Sequence, residues 1–105
     1  MKNMFKMLKD AASLQKNVKK IQSGLRQQTV EFSSGGGKIT VTARGDGSIA
    51  NIKIDPSVIN PGKATELEKM VLGAVEGAIG EAKKLSGEEM KKFAAEMGLP
   101  NIPGL

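Results

Sequence analysis

Met4, Met7, Ala11, Leu14, Val18, Ile21, Leu25 and Gln28 follow one another at intervals of three and four without a break, and neither Pro nor Gly intervenes before Gly24. Such spacing puts all eight side chains on one stripe of an α-helix, so the first quarter of the chain is predicted to be a long amphipathic helix. With Met4 as heptad position a, the basic residues of this stretch, Lys2, Lys6, Lys9, Lys16, Lys19, Lys20 and Arg26, all fall at b, c or f, away from the a/d seam. A helix from about Asn3 to Gln28 would be roughly 39 Å long, against a radius of gyration of about 13 Å for a compact chain of this size. It is expected to overhang its own domain, and its apolar seam then needs burial against a later helix or a second copy of the protein.

After Gln28 the apolar period changes to two. Val30 and Phe32 alternate with Thr29, Glu31 and Ser33, and Ser33-Ser34-Gly35-Gly36-Gly37 supplies turn residues tolerant of positive φ. Ile39, Val41 and Ala43 alternate with Thr40, Thr42 and Arg44, and Gly45-Asp46-Gly47 turns the chain into Ile49, Ile52 and Ile54. Three strands joined by two hairpins are predicted over 29–55. Ile49 is out of phase with Ile52 and Ile54, so a bulge or register adjustment is expected near Ala50-Asn51.

Asp55-Pro56-Ser57 ends the third strand and Pro61-Gly62 punctuates the connection. Thr65-Glu66-Leu67-Glu68 carries the Thr-x-x-Glu capping pattern, so a helical region is predicted over 65–97. Leu67, Met70, Val71, Ala74, Val75, Ala78, Ala82 and Leu85 make a stripe broad enough to lie across a sheet. Gly73, Gly77 and Gly80 flank it. Each glycine costs a helix about 1 kcal/mol relative to alanine, which points either to a close backbone neighbour or to simple tolerance. Ser86-Gly87 could cap a new helix or mark a kink, and Met90, Phe93, Ala94 and Met97 continue the helical spacing. The prolines of 98–105 imply an extended tail, docked or frayed.

Function classes are limited by what is missing. The 105 residues make one small domain, and they contain no Cys and no His. Disulfides, thiolate nucleophiles, Cys/His zinc sites and imidazole acid-base catalysis are thereby excluded. Three Phe and no Trp or Tyr leave an aliphatic, thin core, for which self-association is expected. Gly35-Gly36-Gly37 is followed by a strand rather than a helix N-terminus, which favours a hairpin over a phosphate loop. Asp46 and Asp55 lack the carboxylate density of a calcium loop, and no nucleophile or acid-base constellation stands out by spacing. The expectation is a protein that is not an enzyme, with no cofactor, metal or small-molecule substrate. No apolar run approaches the roughly 20 residues of a membrane span, and Met1 to Leu8 do not resemble a secretory signal, so a cytoplasmic protein is expected.

The formal net charge is +5, and its distribution is uneven. Residues 1–26 hold seven basic residues against Asp10 alone, whereas the remainder is close to neutral. A basic arm on a neutral body attracts a polyanion such as nucleic acid or an anionic membrane; the bland alternative is a solvated helix face.

The order helix, three strands, helix, with Gly-Gly-Gly-Lys-Ile-Thr-Val-Thr at 35–42, Gly-Asp-Gly at 45–47, Ile-Lys-Ile-Asp-Pro-Ser-Val-Ile at 52–59 and Gly-Leu-Pro-Asn-Ile-Pro-Gly-Leu at 98–105, resembles the YbaB/EbfC family of bacterial nucleoid-associated proteins. The likeness spans nearly the whole chain. It implies an α+β, α-β-β-β-α domain with a small antiparallel three-stranded sheet flanked by long helices. It further implies a tweezer-like homodimer, nucleoid-associated, that binds double-stranded DNA in chromosome organisation or gene regulation. The first helix is richer in lysine and poorer in acidic residues than the family pattern. Lys2, Lys6, Lys9, Lys16, Lys19, Lys20 and Arg26, with Lys83, Lys84, Lys91 and Lys92 from the C-terminal helical region, are the candidate DNA-binding residues, acting mainly on phosphates. An alternative is a protein–protein adaptor or targeting factor, whose amphipathic arms and adaptable Met4-Phe5-Met7 end dock other proteins. Peripheral membrane binding ranks last, because no Trp or Tyr anchors the helix.

Overall fold

A computed structural model describes the backbone of residues 2–96 and 98 and the side chains of residues 8–96. The order is α1 (Lys2–Gln27), β1 (Thr29–Ser34), β2 (Ile39–Arg44), β3 (Ile49–Ile54), 3-10 turns at Pro56–Val58 and Pro61–Lys63, and α2 (Ala64–Glu96). Met4, Phe5 and Met7 lie outside the described side chains, and Met97 and residues 99–105 of the expected tail lie outside the described residues.

The sheet is an antiparallel meander, β1-β2-β3. Val30, Phe32 and Ser34 of β1 stand opposite Ala43, Val41 and Ile39 of β2, so the apolar alternation read from the sequence lies on one face. Thr42 pairs with Asn51 and Ala43 with Ile49, leaving Ala50 as the extra residue. This is the expected bulge; it returns Ile49 to the face of Ile52 and Ile54. Gly35, Gly36 and Gly37 have φ of 61°, 67° and 87°, three successive left-handed residues that only glycine adopts cheaply.

Ile39, Val41 and Ala43 are fully buried against Ala74, Ala78 and Ala82, which recur at i, i+4 and i+8 on α2. The alanine ridge lets the helix axis approach the sheet closely, and Val30, Met70, Val71 and Val75 fill the flanks. α2 lies over β1 and β2. At the rim, the Ser34 hydroxyl donates to the Met70 carbonyl at 2.6 Å.

Three points left open or approximate for α2 are decided. Its start is at Ala64, after a 3-10 turn whose Asn60 side chain accepts from the Gly62 amide at 2.9 Å, so Thr65 sits inside the helix rather than capping it. The helix runs unbroken through Ser86 and Gly87 to Glu96, because neither residue removes a ladder amide. Of the three glycines, only Gly77 has a close neighbour, and that neighbour is the Phe32 ring rather than a backbone; Gly73 and Gly80 face open space.

Candidate functional site

A single glycine joins the end of α1 to the sheet. The amide of Gly45, just after β2, donates to the carbonyls of Leu25 and Gln28, each at 2.9 Å. A Cβ at Gly45 would lie 2.7 Å from the Leu25 carbonyl oxygen, so a larger residue would force helix and turn apart. Leu25, 4% exposed, is the buried anchor of α1 among the described residues.

The β2–β3 turn is locked from within. Asp46 Oδ1 accepts from the Ser48 hydroxyl at 2.6 Å and from the Ser48 amide at 3.0 Å, while Arg26 Nε donates to Asp46 Oδ2 at 3.3 Å. The Ser48 hydroxyl and amide, in that order, hold the Asp46 carboxyl below its ordinary value, and Arg26 adds less. Asp55 plays the matching role after β3: it accepts from the Ser57 amide at 2.9 Å, which lowers its carboxyl pKa, and lies 3.6 Å from Lys38 Nζ. Both aspartates are turn and cap residues.

Between α1, this turn and the middle of α2 lies a cleft of about 560 Å³. Lys19, Gln22, Ser23 and Arg26 line it from α1, Gly45, Asp46 and Gly47 from the turn, and Ile79, Lys83 and Ser86 from α2, with Leu25 as part of the apolar floor. Gln22, Ser23, Ser86 and Gly45 were not singled out as site residues from the sequence. Their membership depends on elements some twenty to sixty residues apart, and no local motif encodes it.

The candidate lysines are distributed unequally. Lys9, Lys16 and Lys20 are exposed on the side of α1 opposite Leu25, and none has a carboxylate partner among the described residues. Lys19 and Arg26 occupy the flank of the same helix and meet Lys83 across the cleft. Lys84 pairs with Glu81 at 3.3 Å and Lys92 with Glu89 at 3.8 Å, so half of the candidate lysines of α2 are partly neutralised along their own helix. Lys91 is exposed and has no carboxylate partner among the described residues. Lys2 and Lys6 belong to α1, but their side chains lie outside the described ones.

The apolar surface is unevenly covered as well. Leu8 is 64% and Leu14 40% exposed on α1, and Ile52, on the α2-facing side of β3, is 42% exposed. Among the described residues no helix is long and apolar enough to cross a membrane.

A family model described as the YbaB/EbfC DNA-binding family matches residues 1–97. A nucleoid-associated protein of Thermodesulfovibrio yellowstonii is 42% identical over 105 residues, covering 99% of this chain and 92% of its own length. One from Ruminiclostridium cellulolyticum is 37% identical over 103 residues, covering 98% and 88% respectively. The crystal structure of an uncharacterized Helicobacter pylori protein superposes with a TM-score of 0.58 at 21% identity, covering 83% of this chain and 96% of that one, which shows the shared fold.

Proposed function

The chain belongs to the YbaB/EbfC DNA-binding family, and from that premise we propose that it is a nucleoid-associated DNA-binding protein that grips duplex DNA as a homodimer, largely through phosphates. The carrying observation is the outer face of α1, where Lys9, Lys16 and Lys20 stand exposed without carboxylate partners among the described residues. These three recur within one helical face, so a straight helix offers them together to one polyanionic surface. Lysine supplies a mobile point charge suited to phosphate oxygens; Arg, Asn or Gln more often read base edges in the major groove. Affinity then comes mostly from counterion release, and sequence preference is weak.

A gel-shift series across salt, on unrelated duplexes, tests this reading. If about six phosphates are neutralised, log K falls against log salt with a slope near −5, equally for each duplex. Replacing Lys9, Lys16 and Lys20 together by Gln removes them from both arms of the dimer and should flatten that slope by about 5. Tight binding that is insensitive to salt, or unchanged binding by the triple variant, overturns the reading.

The exposed Leu8 and Leu14 favour a second reading, in which the arms dock other proteins. Capture of a protein partner that survives nuclease and high salt would select it over DNA.

A further inference from the structure

We propose that the cleft between α1, the β2–β3 turn and α2 is a discrete phosphate-group site, with Lys19, Arg26 and Lys83 as its cations. Three cations, two from α1 and one from α2, line one concavity of about 560 Å³. That volume lies within the ordinary range for a small-ligand pocket, and it exceeds what a bare phosphate needs. Ser23 and Ser86 add hydroxyl donors, which suit an anion's remaining oxygens.

The lining contains one carboxylate, Asp46, and it does not cancel the field. Ser48 donates to it twice and holds it ionised in the turn, so the lining sets three cations against one anion. Its link to Arg26 is a single 3.3 Å contact from a guanidinium 76% exposed, a weak pair that Arg26 can exchange for a phosphate oxygen. Lys83 is set apart from its neighbour Lys84, which is paired with Glu81, and Lys83 has no such partner among the described residues. Leu25 and Ile79 give the floor an apolar surface for the uncharged part of an ester.

A phosphate here could be a backbone phosphodiester or a free phosphate ester. The first case rests on the DNA-binding reading; the second does not.

The test uses the full chain, followed by amide NMR, with inorganic phosphate and a 5′-mononucleotide as probes and no DNA present. Saturable shifts of the Gly45, Gly47 and Ser86 amides are expected. Lys19→Gln and Lys83→Gln should each weaken binding of the probes by about tenfold, the scale of one charge-assisted hydrogen bond, while Lys69→Gln, exposed on α2 and outside the cleft, stays within about twofold. Spectra unchanged away from the cleft show that each variant is folded. Shifts that follow Lys9, Lys16 and Lys20 without saturating, or probe binding unaffected in both cleft variants, overturn the proposal.

Duplex titrations with the same variants separate the sources. A salt slope flattened by about 2 in each cleft variant, one contact from each copy in the dimer, assigns the site to the DNA backbone; an unchanged slope alongside weakened probe binding assigns it to a free ester. If Lys9, Lys16 and Lys20 prove essential for DNA while the cleft variants bind both probes and duplex as wild type, the cleft proposal fails and the DNA reading stands. If the cleft binds phosphate in a chain that binds no duplex, the DNA reading fails and the cleft stands.

Discussion

Asp46 carries its charge at the junction of α1 and the β2–β3 turn, and the order of its contacts decides how it responds to acid. Because Ser48 donates to it through both hydroxyl and amide, its carboxyl titrates below the ordinary 3.8. A carboxylate whose folded pKa is depressed stabilises the fold above the unfolded value and loses that contribution as pH falls through the folded one. Asp46 and Asp55 shift in the same direction, so stability should be flat with respect to these groups above about pH 5 and decline below about pH 4. In Ser48→Ala the Asp46 titration midpoint, followed by carboxyl NMR, should rise toward 3.8, whereas Arg26→Gln should move it less. Gly45 is the other decisive single residue. Its missing side chain lets its amide donate to two carbonyls, Leu25 in α1 and Gln28 just after it, and Gly45→Ala drives a methyl against the Leu25 backbone, which cannot yield as a flexible side-chain end can. The expected loss is about 1–3 kcal/mol in urea unfolding, with altered amide shifts concentrated in residues 22–28.

The elements were legible in the sequence wherever the signal is local. The three-four spacing to Gln28, the alternation of β2 and the phase slip at Ile49 each follow from neighbours a few residues apart, and α1, β2 and the Ala50 bulge appear where they were expected. α2 begins at Ala64, one residue before the predicted start, with Thr65 inside it, because Asn60 and Pro61 just upstream have already begun the turn. The glycines of α2 were ambiguous because a helix pattern does not reveal what packs on it. Gly77 accommodates the Phe32 ring, and Gly73 meets nothing within 4 Å. Alanine substitution should therefore split the pair. Gly73→Ala is expected to stabilise by up to about 1 kcal/mol through helix propensity. Gly77→Ala gains the same propensity and places its methyl inside the Phe32 ring, for a net loss of about 1–2 kcal/mol as the ring is displaced. Thermal melts by circular dichroism distinguish the two, and a stabilised Gly77→Ala would mean that Phe32 moves freely.

The whole molecule measures 71 × 20 × 18 Å, with a radius of gyration of 19.4 Å where a compact chain of this length has about 13 Å. A shape so extended leaves apolar side chains exposed. α2 occupies the face of β1 and β2, so the corresponding side of β3 lies open at Ile52, and Leu8 and Leu14 lie open along α1. We infer that a second copy covers the face at Ile52, which would also bring two cationic α1 helices into one particle. Ile52→Glu tests this because a glutamate placed opposite Val41 would have to be desolvated in the dimer and not in the monomer. Sedimentation velocity should show a dimer for the parent chain and a monomer for the variant at the same concentration, with helical content retained by circular dichroism. DNA binding then reads the same event independently. Two linked arms gain avidity of about 10²–10⁴ over one, so the monomer should bind duplex that much more weakly. Its salt slope should halve, to about −2.5, since only one arm's phosphates are neutralised. A variant that stays dimeric, with an unchanged slope, would put the pairing surface elsewhere on the molecule, with the exposed Leu8 and Leu14 of α1 next to be changed.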